Sequence, residues 1–269
     1  MSAKIAARIT EEQRRQWATD GYIVIKNALL PEDITALCEE VDRLYNEHLL
    51  KNPEADVRRE FSRRPVVEDS SVFLKMMDYK SIFGLVLDLL GPCIQLSMSQ
   101  ALIRPANTEY YGFVHTDGGQ AMQRIRVSET SLPLQLKVQY FLTDVREPNG
   151  GNFVVFPGSH LRPYPVNGPY PTPDSPGVVQ LCVSAGDAVL FSHALWHGVM
   201  TNRSSQSRKS LIYGYNQLFF RPYDYVQPSE KLLSMCTPRQ RRLLGDIGNW
   251  KQGSFHYAPE DQVWLMEEL

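Results

Sequence analysis

Cysteine is scarce in this chain: Cys38, Cys93, Cys182 and Cys236 are the only four in 269 residues, and no two form a C-x-x-C pair. That excludes a disulfide framework and a thiolate zinc site, and predicts reduced, mostly buried thiols. No apolar run reaches the roughly 18 residues that a membrane span requires. The most apolar helical stretch, Ile82 to Leu90, is interrupted by Asp88. Residues 1–8 contain no uninterrupted apolar segment of the kind a secretory signal needs. A basic excess is also missing. Lys and Arg number 28 against 30 Asp and Glu, a formal charge of −2, which predicts no nucleic-acid partner. Internal repeats and low-complexity linkers are absent. Together these absences predict a cytoplasmic protein with no membrane partner, acting as a monomer or homodimer.

What is present fits a globular chain able to bury a core: 43% of residues are apolar and 22% charged. Thr10-Glu11-Glu12-Gln13 is a capping box that opens a short helix ending at Asp20-Gly21. Tyr22-Ile23-Val24-Ile25 reads as a strand. Pro31 starts a helix with Ile34, Leu37, Val41 and Leu44 on one face. Residues 51–70 read as charged and irregular, and a third helix is predicted over 72–90. Beyond Pro92 the texture becomes strand-like, at 94–103, 135–143, 152–156, 178–183, 188–191 and 209–220. Asn149-Gly150 predicts a type I′ hairpin. Residues 161–177 are Pro-rich and predict a long loop, and Pro238 to Leu244 predicts a closing helix. The pattern is α+β in one domain over 1–269. A helical part (about 10–91) precedes an antiparallel barrel core (about 92–222), and a helical extension (223–269) follows.

Three elements carry chemistry. In His115-Thr116-Asp117, residues two apart on an extended segment face the same way, so an imidazole and a carboxylate converge. By itself this also fits a histidine hydrogen-bonded to a neighbouring acid. The second element, Gly186 to Gly198, is a turn and apolar strand ending in His193 and His197, either of which could supply a third donor. Two imidazoles and one carboxylate form a facial triad that leaves open positions and suits iron(II), whereas structural zinc sites close all four positions. The third is Arg208, eleven residues after His197, which opens the next strand. A hairpin of that length would place Arg208 beside His197, where a guanidinium could clamp a carboxylate. Ser210 lies on the same strand face.

The order of these motifs resembles the phytanoyl-CoA dioxygenase-like family of iron(II)/2-oxoglutarate oxygenases. The likeness rests on Asp20-Gly21-Tyr22, His115-Thr116-Asp117, Asn149-Gly150-Gly151 leading to Phe156-Pro157-Gly158-Ser159-His160, then Gly186-Asp187, His197-Gly198 and Arg208, over about residues 12–245. The resemblance implies a double-stranded β-helix, a jelly-roll barrel with flanking helices. It places His115, Asp117 and His197 as metal ligands and Arg208 at the carboxylate of the co-substrate. Gln139, and more weakly Gln100, fall near that co-substrate, and His160 takes a structural place. On the predicted strand around Gln139, Gln135 and Lys137 share its polar face; Gln139 is placed in the pocket and Lys137 outside it.

The implied cofactors are Fe(II), 2-oxoglutarate and O2, with ascorbate as an optional reductant. The implied reaction is oxidation of an unactivated C–H bond of a small molecule, such as a secondary metabolite. Asp117 favours hydroxylation, desaturation or ring closure over halogenation, because related halogenases carry a small residue there. Tyr110, Tyr111 and Arg126, on loops that would close over substrate, are candidate substrate contacts. Three alternatives stand beside this reading: an acyl-CoA 2-hydroxylase, a zinc-dependent hydrolase, and a non-enzymatic jelly-roll binding protein. For the first, Arg58-Arg59 and Arg63-Arg64 read more simply as solvated surface than as a nest for CoA phosphates.

Overall fold

The Thr10 capping box forms, with the Thr10 hydroxyl accepting from Gln13 N–H at 3.2 Å and the Gln13 side-chain Oε1 accepting from Thr10 N–H at 2.9 Å. It opens α1 (Glu11–Asp20), which ends on Gly21 at φ +81°. In this computed structural model the described residues are 8–246 apart from 110–111, 123–124, 126–130, 166, 168 and 226. β1 (Tyr22–Ile25) follows, then α2 (Pro31–Lys51), whose Leu37, Val41 and Leu44 are buried as the periodicity predicts.

The predicted helix over 72–90 is instead divided into α3 (Ser71–Lys75), a 3-10 turn (Met76–Asp78) and α4 (Phe83–Leu90). Tertiary bonds in the gap compete with helix continuation. Tyr79 Oη donates to Asp33 Oδ2 at 2.6 Å, and Ser81 Oγ donates to the Ala28 carbonyl at 2.6 Å. The stretch expected to be irregular contains β2 (Phe61–Arg63), an edge strand on β3 (Ile94–Arg104). The four thiols, expected mostly buried, are half-buried at Cys38, Cys93 and Cys236 and exposed at Cys182.

The remaining elements are α5 (Gly119–Met122), β4 (Gln135–Phe141), β5 (Phe153–Val155), β6 (Val179–Gln180), β7 (Ala188–Ser192), β8 (His197–Val199), β9 (Arg208–Gln217), α6 (Glu230–Met235) and α7 (Pro238–Leu243). They build an antiparallel jelly roll with a larger sheet β1-β7-β4-β9-β3-β2 and a smaller sheet β6-β5-β8. α5, β8 and α6 are too short to show a period in the sequence.

Two predicted hairpins do not form. Asn149-Gly150 carries the chain from the larger sheet to the smaller, because β4 pairs with β7 and β9 whereas β5 pairs with β6 and β8. The left-handed residues there are Asn149 and Gly151, at φ +63° and +75°, not the adjacent pair a type I′ turn needs. Likewise β8 and β9 lie in different sheets, so the segment between them is a crossover. Long-range pairing overrides the local turn signal in both cases.

Alternation along the central strands separates two faces. Leu136, Val138, Tyr140, Leu211, Tyr213 and Tyr215 join the helices in the main core. Two of these tyrosines also satisfy the helical layer, Tyr213 Oη donating to the Phe73 carbonyl at 2.6 Å and Tyr215 Oη to that of Met77 at 2.9 Å. The opposite face looks into the barrel, where Tyr22, Phe141, Phe153, Val189 and Phe191 form a second apolar cluster. The functional side chains stand beside that cluster. Among the described residues no helix is long and apolar enough to cross a membrane.

Candidate metal centre

His115 and Asp117 lie on the segment after β3, and a single antiparallel bridge ties that segment to β8. His115 and His197 exchange both backbone hydrogen bonds, each 2.9 Å. Their rings are thereby brought to a centroid separation of 4.3 Å. Gly198 permits this approach, since a Cβ there would stand 3.1 Å from the Phe113 carbonyl oxygen. The Asp117 backbone is fixed separately, its N–H donating to the His193 carbonyl at 2.9 Å. One donor atom each from His115, Asp117 and His197 lies within 4.8 Å of the others. Nε2 of His115 is 4.0 Å and Nε2 of His197 is 3.8 Å from Asp117 Oδ1.

The hydrogen bonds of the rings prepare these atoms for a metal. His197 Nδ1 faces the Leu195 carbonyl at 2.8 Å, and His115 Nδ1 faces that of Phe113 at 3.2 Å. A proton on each Nδ1 leaves the Nε2 lone pair directed at the cluster. Burial between Phe153 and Phe191, with the His115 ring adding to it, pushes His197 down to about 3, so the ring is neutral at pH 7. For Asp117, burial alone would push the carboxyl up. The Lys137 ammonium, through its charge and its hydrogen bond, outweighs this and holds it below the usual range. Asp117 is therefore an anion, and its Oδ2 is buried with no hydrogen-bond partner. Two imidazoles and one carboxylate with a spare oxygen suit a divalent ion with open positions.

Lys137 is a correction to the sequence reading. It faces into the barrel, and Nζ donates to Asp117 Oδ1 at 2.5 Å. The alternation of Gln135, Lys137 and Gln139 was visible in the sequence, but which face was internal depended on the sheet's partner layers. Gln139 is also inside, 1% exposed, and its Nε2 donates to Ser210 Oγ at 3.1 Å. Its Oε1 is buried and unpartnered. Gln100 stands on the same sheet face two strands away, half-buried, and donates to Ser62 Oγ at 2.7 Å.

Arg208 reaches the barrel interior by a route other than the predicted hairpin. It is 1% exposed, on β9 opposite Arg104 of β3. Its Nη1 donates to the Gly151 carbonyl at 2.6 Å, while Nε and Nη2 are buried with no partner. Burial first, and then the Arg104 charge, push the guanidinium down to about 10, so it remains cationic at neutral pH. Unpaired buried donors on a cation are costly, and a ligand carboxylate would satisfy both. The contribution of Gly151 and Arg104 went unread, although an arginine ending the apolar strand 94–103 carried the same signal as Arg208.

Among the described residues, His193 and His160 do not join the cluster of donor atoms. His193 is buried with Nδ1 3.2 Å from the Gln135 carbonyl, and its Nε2 has no partner. His160 Nε2 lies 3.2 Å from the Ala18 carbonyl, and its ring fills the space that a side chain at Gly21 would take. Tyr110, Tyr111 and Arg126 lie outside the described residues. Of the arginine pairs of the sequence reading, Arg63 pairs with Asp69 and Arg64 with Asp224, while Arg58 and Arg59 share Asp56.

A sequence profile described as Phytanoyl-CoA dioxygenase (PhyH) matches residues 17–210. Dioxygenase cdmA of Talaromyces verruculosus is 27% identical over 66% of this chain, which spans 62% of that protein's length. Dioxygenase olcK of Penicillium canescens is 22% identical over 93% of this chain and 82% of its own. An ectoine dioxygenase of Nocardia farcinica is 24% identical over 78% of each. Among solved structures, HygX from Streptomyces hygroscopicus with nickel and 2-oxoglutarate bound aligns with a TM-score of 0.67 at 20% identity, over 84% of this chain and 94% of that one. SnoK, a non-heme alpha ketoglutarate dependent carbocyclase from nogalamycin biosynthesis, aligns at 0.61 with 23% identity, over 86% and 92%.

Proposed function

The chain belongs to the phytanoyl-CoA dioxygenase (PhyH) family, and from that premise we propose that it is an Fe(II)- and 2-oxoglutarate-dependent dioxygenase that oxidises a C–H bond of a small biosynthetic molecule. The observation that carries this reading is the pairing of two incomplete sites in one barrel. His115, Asp117 and His197 offer donor atoms within 4.8 Å of one another, and the buried Arg208 has two unpartnered N–H-bearing nitrogens. A zinc hydrolase would use the first and leave the second without purpose.

His115, Asp117 and His197 would hold the iron, and Arg208 with Ser210 would receive the distal carboxylate of 2-oxoglutarate. When bound, the pair supplies oxidising chemistry with O2, in which 2-oxoglutarate becomes succinate and carbon dioxide. The chain's part is placement. The Nδ1 hydrogen bonds fix both imidazole tautomers, and the carboxylate of Asp117 stays ionised. Phe153 and Phe191 keep water from one side of His197. Gln139, held by Ser210, keeps one buried acceptor free for a ligand. Phe113 is 74% exposed with its ring 4.9 Å from that of His115, and Tyr223 is also exposed and reaches Gln135. These two aromatics offer an apolar face to a substrate near the metal.

Relatives named as fungal dioxygenases, and structural neighbours described as a carbocyclase and an epimerase, support a biosynthetic small molecule as substrate. They also keep hydroxylation, ring closure and epimerisation within range. An acyl-CoA substrate is less supported, because Arg58, Arg63 and Arg64 are already paired with carboxylates. The test is anaerobic addition of Fe(II) and 2-oxoglutarate. The expected result is a weak visible charge-transfer band, followed on aeration by succinate release that rises with a matching substrate in a metabolite screen. No band with Fe(II), or hydrolysis supported by zinc, overturns the proposal.

A further inference from the structure

Two guanidinium groups lie side by side in this barrel, and only one has a carboxylate partner among the described residues. Arg104 and Arg208 are direct cross-strand partners of β3 and β9, so their side chains leave the sheet on the same face. Both are at most 2% exposed. Arg104 Nη2 donates to Glu60 Oε2 at 2.8 Å, from the residue preceding β2. Its stem passes beneath Gly151, where a Cβ would stand 3.2 Å from Arg104 Cδ, and its Nη2 ends 3.9 Å from where a Cβ of Gly112 would be. Gly151 thus does two things: its missing side chain lets Arg104 through, and its carbonyl orients Arg208. Among the described residues, these two buried guanidinium groups have one carboxylate beside them, that of the half-buried Glu60. An unmatched buried charge is expensive, and one further carboxylate would balance it.

We propose that Glu60 and Arg104 set the net charge of the co-substrate pocket, so that it takes a single distal carboxylate. This rests on the dioxygenase reading above. Arg104 is a positioning residue and Glu60 its counter-ion. With Arg104 removed, the Glu60 carboxylate loses its partner, acts on Arg208 instead, and opposes the incoming dicarboxylate. With Glu60 neutralised, the pocket carries a second uncompensated cation and draws the dicarboxylate more strongly. The electrostatic environment of Arg208 contains both effects, since burial and Arg104 push its pKa down while Glu60 pushes it up.

The experiment is anaerobic calorimetry of the full chain loaded with Co(II), titrated with 2-oxoglutarate and separately with 2-oxobutyrate, which lacks the distal carboxylate. Expected for 2-oxoglutarate are a Kd at least tenfold higher in Arg104→Met, about threefold lower in Glu60→Gln, and within threefold of the unaltered protein in the double variant. The Kd for 2-oxobutyrate should stay within twofold throughout. A merely structural pair would shift both ligands together, and that outcome overturns the inference. So does a Glu60→Gln Kd that is unchanged or weaker, which decides the matter even if Arg104→Met fails to fold. Failure of the unaltered protein to bind 2-oxoglutarate overturns the function reading itself, and this inference with it.

Discussion

Replacing Lys137 with methionine should tighten metal binding. The Lys137 ammonium holds Asp117 Oδ1 at 2.5 Å, with the lysine side chain only 12% exposed. A metal taking that oxygen must compete with the ammonium, and a divalent ion close by also repels it. A charge-assisted hydrogen bond in such surroundings contributes about 1.5–3 kcal/mol, after the much larger Coulomb attraction is offset by desolvation. Losing that competitor corresponds to a Kd about 10- to 100-fold lower. Methionine keeps most of the stem volume, which Gly214 accommodates across the strand pair, where a Cβ would lie 3.6 Å from Lys137 Cγ. One opposing effect bounds the gain. Without Lys137, burial pushes the Asp117 carboxyl up, and a proton begins to compete for the same oxygen. The advantage should therefore be largest at pH 7.5–8 (roughly, above any raised carboxylate value) and shrink as pH falls. Co(II) titration against a fluorescent chelator at several pH values reads both effects. An unchanged or weaker affinity at the upper pH would refute the reasoning, because ammonium and metal would then share Asp117 without conflict.

Three further outcomes are expected. His197→Ala should abolish the Fe(II)–2-oxoglutarate charge-transfer band while His193→Ala retains it; the reverse pattern would move the third ligand to His193. Asp187 is 1% exposed and accepts from Lys26 Nζ at 2.8 Å, Ser184 N at 2.9 Å and Asn27 N at 3.0 Å. Burial would raise its pKa, but these donors hold it below the usual 3.8, so its stabilisation is complete above that value and is lost as pH falls below it toward the depressed folded value. Asp187→Asn should cost about 2 kcal/mol at pH 7, or about 4–8 °C in Tm, with the deficit narrowing in that acidic window; a pH-independent deficit in thermal melts would argue against it. Tyr213→Phe should destabilise by about 1–3 kcal/mol in urea, because the buried Phe73 carbonyl loses the donor found at 2.6 Å; an unchanged midpoint would mean that another donor replaces it.

Much of the scaffold is written in local chemistry. Thr10 and Gln13 specify a helix start through bonds three residues apart, and Leu37, Val41 and Leu44 specify which face of α2 is buried. Those signals need only nearest neighbours along the chain. The same holds for His115 and Asp117, whose spacing on an extended segment lets an imidazole and a carboxylate meet whatever the rest of the barrel does. By contrast, the break at Tyr79–Ile82 depends on Asp33 and Ala28, more than forty residues distant, which no periodicity records. Asn149-Gly150 gave a true turn signal but a false hairpin, since turn residues fix a reversal of direction and not the sheet that the next strand joins.

For the candidate site, residue types and order along the chain determined the donor set: two imidazoles, one carboxylate and a guanidinium able to meet a dicarboxylate. Tertiary structure supplied the backbone bridge that binds His197 to His115 and so assembles the cluster that the motif order had already assigned by resemblance. It also decided that Lys137 turns inward against Asp117, and that Arg208 shares its pocket with Arg104 and Glu60. The physical reason is that a strand's alternation names two faces without saying which is interior. Only the partner sheet, closing the barrel over one of them, makes that choice.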